Sequence, residues 1–156
     1  MSSSETIHLS DFQLPATPDQ TVQLNDFKGQ FTVIYFYPKD NTPGCSQEGQ
    51  DFGDHFAEFK KLGAQIFGVS KDSLTKHQNF KAKYDFPFEL IADPDEVLCK
   101  MFDVIKLKKN FGKEYYGIER STFLLDPNLK LIKAWRKVKV NGHVLDVLNT
   151  LKETTQ

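Results

Sequence analysis

Phe31-Thr-Val-Ile-Tyr-Phe-Tyr37 is followed at once by Pro38-Lys-Asp-Asn-Thr-Pro-Gly-Cys45. The first stretch is a continuous apolar and β-branched run, which is typical of a strand buried on both faces of a sheet. Pro38 and the turn-forming residues after it end this strand, so the chain leaves the sheet just before Cys45. The sequence therefore predicts a central strand whose carboxyl end leads directly to a cysteine.

Strand and helix patterns alternate along the rest of the chain. Apolar residues recur at spacings of three and four after Cys45 and predict one amphipathic helix over residues 44–62. The other predicted elements are strands at Ala64–Ser70 and Phe88–Ile91, helices at Ser73–Tyr84, Asp95–Phe102 and His143–Leu151, and a hairpin of Ser121–Asp126 with Lys130–Val138.

This order implies an α/β protein with a mixed central sheet and helices on both faces. A thioredoxin-like fold fits it, although other three-layer sandwiches share the order. Residues before 30 are expected to form an N-terminal extension with an edge hairpin, and residues 106–117 an irregular solvated connection. At 156 residues the chain suits a single domain spanning 1–156.

Charge and cysteine content exclude several classes of function. The formal net charge of −1 gives no basic surface for DNA, RNA or an anionic membrane, and no apolar run approaches bilayer length. The N-terminus lacks the features of a signal peptide, so we expect a cytoplasmic protein. Two cysteines and four scattered histidines give no paired spacing for zinc, and neither a metal nor a cofactor is expected.

Cys45 lies where a thiol gains reactivity. A thiol attacks as its thiolate, and an ordinary cysteine with a pKa of about 8.5 is only slightly ionised at neutral pH. The predicted helix start after Pro43-Gly44 favours negative charge, because its backbone N–H groups are unpaired and the helix dipole is positive there. A buried cysteine that merely fills space is the alternative interpretation.

The segment from Pro38 to Cys45 resembles the PxxxTxxC active-site signature of peroxiredoxins. The flanking Phe36-Tyr37 and Gly117-Ile-Glu-Arg120-Ser-Thr-Phe-Leu are similar to the PrxQ or bacterioferritin comigratory protein subgroup, and the resemblance extends from about Leu9 to Leu151. It implies a thioredoxin-like fold and a peroxidase that needs no cofactor.

The resemblance also implies a role for each matching residue. Cys45 is the peroxidatic nucleophile, Thr42 hydrogen-bonds the peroxide and Pro38 shields the thiolate. Arg120 lowers the thiol pKa and stabilises the developing oxyanion, and Glu48 orients that arginine. By spacing alone Arg120 is not distinguishable from a surface residue paired with a carboxylate.

The sequence departs from this family where many members carry a second, resolving cysteine. One such position holds Gln50, and the other falls in a stretch without cysteine, at Lys81. The remaining thiol, Cys99, lies beside apolar residues of a later helix and is interpreted as mainly structural. The resemblance, together with these departures, predicts a one-cysteine mechanism in which an external thiol attacks the oxidised Cys45. Attack by Cys99 of the same chain is the alternative.

The predicted function is reduction of hydrogen peroxide and organic hydroperoxides through a Cys45 sulfenic acid. Thioredoxin, glutaredoxin or a low-molecular-weight thiol would be the reductant, and we expect a monomer, with a weak dimer as the alternative. A thioredoxin-type disulfide exchanger is disfavoured because Glu48 stands where its second thiol would be. A redox sensor that uses the same Cys45 without turnover, and a structural protein with an unreactive Cys45, remain open.

Overall fold

The computed structural model describes residues 7–156. The strands are β1 (Gln13–Ala16), β2 (Gln20–Gln23), β3 (Phe31–Phe36), β4 (Ala64–Ser70), β5 (Glu89–Ala92), β6 (Ile105–Asn110), β7 (Lys113–Ile118), β8 (Ser121–Leu125) and β9 (Leu131–Trp135). Seven of them form one sheet in the order β2-β1-β5-β4-β3-β8-β9, and β6 pairs with β7 in a separate sheet. Strand β3 runs parallel to β4 and antiparallel to β8, so the predicted mixed sheet is confirmed. The β1–β2 hairpin forms one edge, as expected, while residues 1–6 of the predicted extension lie outside the described residues.

Helices cover both faces of the sheet. Within residues 7–156 they are α1 (Pro43–Asp54), α2 (Phe56–Lys61), α3 (Leu74–Tyr84), α4 (Val97–Met101), α5 (His143–Thr155) and a short 3-10 helix at Leu24–Phe27. No helix in this part of the chain is both long enough and apolar enough to cross a bilayer.

Side chains of β3 alternate between two separate cores, as expected for a strand buried on both faces. Val33 and Tyr35 point into the core formed with α1, α2, α3 and α5, whereas Ile34 and Phe36 point into the core formed with α4 and the 3-10 helix. Cys45 belongs to the first core and Cys99 to the second. The sheet therefore separates the two cysteines.

The single helix predicted over residues 44–62 is wrong, because two helices occupy this range. Backbone angles at His55 (φ −106°, ψ 7°) leave helical geometry, and its ring pairs with Glu58 in the first turn of α2 at 3.0 Å. Gly53, a weak helix former, lies two residues earlier. The break lets Phe52 and Phe59 both reach the core, where their ring centroids are 5.9 Å apart.

The irregular connection predicted for residues 106–117 is also wrong, since β6 and β7 pair there as an antiparallel hairpin. Its two-residue turn, Phe111-Gly112, has positive φ at both positions, as type I′ turns require. Most side chains of both strands are at least partly exposed, so no buried face imposes the apolar alternation that would reveal a strand. The turn residues Phe111-Gly112 were the feature of the sequence that could have indicated this hairpin.

Gly49 in α1 permits close packing against the ring of Phe86, because an added Cβ would lie 2.8 Å from its Cε1 atom. Although alanine is the better helix former, Gly49→Ala should lower the free energy of unfolding by about 1–3 kcal/mol through this overlap. Urea denaturation measures the change. Gly53→Ala in the same helix, whose Cβ would lie 3.3 Å from Pro87 Cδ, should cost less, and an equal or larger cost at Gly53 would contradict this packing account.

Candidate active site

Cys45 is the third residue of α1, in the turn where backbone N–H groups lack helical partners. Thr42 precedes the helix in an extended conformation, and Pro43 at its first position has a φ angle suited to helix entry. The Cys45 side chain is buried, with 1% of its surface exposed. A thiolate here would meet the positive end of the α1 dipole.

The guanidinium of Arg120 lies beside this sulfur. Its Nη2 atom is 3.4 Å from Cys45 Sγ, although 75 positions separate the two residues in sequence. Arg120 lies between β7 and β8, and β8 pairs directly with β3, so the sheet brings it to the start of α1. Gly44 leaves room for this approach, because a Cβ there would lie 3.1 Å from Nη2, a tight contact that would require the guanidinium to shift.

Glu48 holds the other side of the guanidinium. Its Oε1 accepts a hydrogen bond from Arg120 Nη1 at 2.6 Å, and its side chain is fully buried one turn after Cys45. Burial raises the pKa of Glu48 to about 7, although Arg120 opposes this rise. Within the described residues, Glu48 Oε2 and the nearby Tyr35 hydroxyl are buried without hydrogen-bond partners.

Thr42 and Pro38 lie on the loop between β3 and α1. The Thr42 hydroxyl donates to the Lys39 carbonyl at 3.0 Å, rather than capping α1, and Pro38 is exposed. The structure thus brings Arg120 into direct contact with both Cys45 and Glu48, while Thr42 and Pro38 lie on the loop that precedes Cys45.

Lys108 is a second cation near the site, although the sequence pattern predicts only an irregular solvated connection at this position. It lies half-buried on β6, with its Cδ 3.6 Å from the position of a Cβ at Gly117. Burial and then the positive charge of Arg120 lower the pKa of Lys108, while Cys45 opposes them. Its placement follows from the β6–β7 register, and the sequence signal for that hairpin was only its turn.

Cys99 has a different environment on the opposite face of the sheet. It is fully buried, and its backbone N–H donates to Asp93 Oδ2 at 2.9 Å. Burial, reinforced by Asp93, raises the pKa of the Cys99 thiol far above its usual range. Within residues 7–156, the side chains of His, Cys, Asp and Glu form no group of three suited to a metal ion.

Comparison with known proteins shows the family of this chain. The AhpC/TSA family model matches residues 7–134, and peroxiredoxin Bcp of Bacillus subtilis is 54% identical over 146 residues, covering 94% of this chain and 93% of that protein. The chain belongs to the AhpC/TSA family of peroxiredoxins.

Solved structures of this family have the same fold. The bacterioferritin comigratory protein of Xanthomonas campestris, studied for its alkyl peroxide reduction activity, superposes with a TM-score of 0.89 at 50% identity, covering 93% of this chain and 92% of that one. Peroxidoxin BcpB of Mycobacterium tuberculosis reaches a TM-score of 0.83 at 27% identity, covering 98% and 97%. The predicted thioredoxin-like fold is confirmed.

The raised pKa of Glu48 predicts a pH-dependent stability. Between pH 4.5, the usual pKa, and about 7, the folded peroxiredoxin retains a proton that the unfolded chain has released, so this residue's contribution to stability falls as pH rises. Glu48→Gln cannot titrate. The free energy of unfolding of the native protein, relative to this variant, should therefore fall by on the order of 1–3 kcal/mol across that range.

Urea titrations at a series of pH values measure this difference. Glu58→Gln, the same change at a half-exposed glutamate, is the control. Its free energy of unfolding, relative to that of Glu48→Gln, should fall with pH as in the native protein. A difference between native and Glu48→Gln proteins that stays constant or rises with pH would show that Glu48 is buried as an ordinary carboxylate.

Proposed function

We propose that this chain is a thiol peroxidase in which the Cys45 thiolate attacks hydrogen peroxide or an organic hydroperoxide. The observation that carries the proposal is the 3.4 Å contact between Arg120 Nη2 and Cys45 Sγ at the first turn of α1. A cation and a helix N-terminus converge there on one sulfur, and both favour the ionised, nucleophilic form.

In the first step the sulfur attacks the terminal peroxide oxygen, the S–O bond forms and the O–O bond breaks. The sulfur is oxidised to sulfenic acid, and the peroxide leaves as an alkoxide or hydroxide that takes up a proton to give alcohol or water. Arg120 is positioned to stabilise the charge that moves from sulfur to the leaving oxygen. Its hydrogen bond to Glu48 fixes the guanidinium before the reaction begins, which limits reorganisation in the transition state.

Thr42 is proposed to orient the peroxide. Its hydroxyl proton is engaged by the Lys39 carbonyl at 3.0 Å, which leaves the oxygen lone pairs free to accept a hydrogen bond from the peroxide O–H. Pro38, on the same loop, is proposed to limit access of water to the thiolate. Its rigid ring has no backbone N–H that would need a hydrogen-bond partner in the loop.

Organic hydroperoxides are included because a groove of about 540 Å³ opens beside Gly44. Val140, Val144 and Leu145 line it together with polar residues of α1, so an alkyl group has apolar surface next to the site. The alkyl peroxide reduction activity of the Xanthomonas campestris relative is consistent with this substrate class.

An external thiol is proposed to close the cycle, because the sheet lies between Cys45 and the buried Cys99. The thiol displaces water from the sulfenic acid to give a mixed disulfide, and a second thiol releases Cys45. Thioredoxin, glutaredoxin or a small thiol would serve. The Arg120 contacts to Cys45 and Glu48 form within one chain, so they need no second copy, and a monomer is proposed. A cytoplasmic location is proposed because the two cysteines form no disulfide framework.

Replacing the arginine tests the central contact. Arg120→Met should slow the reaction with peroxide by about 10²-fold or more and should slow iodoacetamide alkylation of Cys45, because the thiolate and the leaving oxygen lose the same cation. Rapid-quench kinetics with intact-mass detection measure both rates. Cys45→Ser, which lacks the reacting thiol, gives the background.

Arg136→Met is the matched control. Arg136 packs over Phe123 in the opposite core, so its loss should leave both rates unchanged. If Arg120→Met keeps both native rates, the role of this arginine is structural and the proposed mechanism is wrong.

The route of resolution has its own test. After one equivalent of peroxide, dimedone should label Cys45 and Cys99 should remain a free thiol, and Cys99→Ser should retain native turnover with a thiol reductant. Non-reducing peptide mass spectrometry identifies each product. A rapid Cys45–Cys99 disulfide within one chain, together with lost thioredoxin-dependent turnover in Cys99→Ser, would refute the one-cysteine mechanism.

A further inference from the structure

A buried polar network lies beneath the loop that carries Thr42. Asp40, in the middle of this loop, has 8% of its surface exposed. Its Oδ1 accepts from the Tyr37 hydroxyl at 2.6 Å, and its Oδ2 lies 2.6 Å from His77 Nδ1 of α3. His77 is fully buried, and its Nε2 lies 2.9 Å from the Ile91 carbonyl of β5. The loop is thus tied through the Asp40 carboxylate to α3 and, through His77, to β5.

The hydrogen bonds fix the protons of this network. The Ile91 carbonyl can only accept, so His77 Nε2 carries a proton. A second proton lies between His77 Nδ1 and Asp40 Oδ2, which makes the pair an imidazolium with a carboxylate or its neutral equivalent. Either form has no net charge, and the 2.6 Å separation is that of a short, strong hydrogen bond. The pair acts as a rigid link between the loop and α3.

The same loop is held at further points. The Asp40 backbone N–H donates to Asp72 Oδ2 at 2.7 Å, just after β4. Asn41 adopts a left-handed conformation with φ of 60°, and its side-chain oxygen accepts from Lys83 Nζ at 3.0 Å. Both ends of α3 therefore contact consecutive loop residues. Lys39, whose carbonyl orients the Thr42 hydroxyl, directly precedes this anchored pair.

We propose that Asp40 and His77 are positioning residues for peroxide reduction, which hold the loop so that the Thr42 hydroxyl faces the peroxide. This inference rests on the proposed function of Thr42. Neither residue needs to touch the substrate, because each acts by fixing the Lys39–Thr42 hydrogen bond. Misplacement of an orienting group by about 1 Å can slow a reaction on the order of 10²-fold, so a buried link of this kind has a kinetic consequence.

A double-mutant cycle with Thr42 tests the link. Thr42→Val should slow Cys45 oxidation by about 10²-fold, and Asp40→Ala should slow it roughly tenfold or more. Because both act through one hydroxyl, the double variant should react within about twofold of Thr42→Val alone. Iodoacetamide alkylation of Cys45, which needs no oriented peroxide, should be unchanged in Asp40→Ala.

Asp40→Asn is the conservative variant. Its amide oxygen can accept from Tyr37 and its amide N–H can donate to a neutral His77 ring, so it keeps both hydrogen bonds and should retain a rate close to native. Asp93→Ala is the control for stability, since Asp93 is another fully buried carboxylate that caps α4 rather than the loop. It should lower the melting temperature without changing the rate of Cys45 oxidation.

The outcomes separate this inference from the function on which it rests. A native rate in Thr42→Val would overturn the proposed role of Thr42. A slow Thr42→Val with a native rate in Asp40→Ala, or a double variant as slow as the product of the two single effects, would overturn the positioning role. Reduced alkylation in Asp40→Ala would assign Asp40 to thiolate electrostatics instead and would also overturn it.

Discussion

The guanidinium of Arg120, held between Cys45 Sγ and Glu48 Oε1, is the interaction on which the site depends. A buried sulfur is a poor place for a negative charge unless a cation and oriented N–H groups accompany it. Helix α1 supplies the N–H groups and Glu48, the sheet supplies Arg120, and Gly44 leaves room for contact. These contributions converge on the Arg120 guanidinium and on the sulfur beside it.

The sheet that assembles this site also isolates it from the second thiol. Cys45 and Cys99 belong to cores on opposite faces, and Cys99 is further stabilised as a thiol by burial and by Asp93. Lys81 occupies the other position at which many family members carry a resolving cysteine. Its Nζ donates hydrogen bonds to the Phe86 and Phe88 carbonyls. These contacts support the proposal that an outside thiol, rather than Cys99, resolves the oxidised Cys45.

Much of the fold follows from local patterns, and the failures have physical causes. Strands β3 and β4 are buried on both faces and were visible as apolar runs, whereas the β6–β7 hairpin is largely exposed and has no such pattern. Cys45 was predictable from its turn and helix start. Arg120 was not, because its 3.4 Å contact depends on strand pairing across 75 positions, and only the family resemblance identified it. The Asp40–His77 link was missed because neither residue has a pattern that indicates burial.

Turnover distinguishes a peroxidase from a protein that is oxidised only once. The most direct measurement is the amount of peroxide consumed per molecule of protein in the presence of excess dithiothreitol, with Cys45→Ser as the background. A peroxidase should consume peroxide through many cycles at a rate proportional to protein concentration. Consumption that stops after one equivalent of peroxide, with the oxidised Cys45 left unreduced, would contradict this function and indicate a redox sensor.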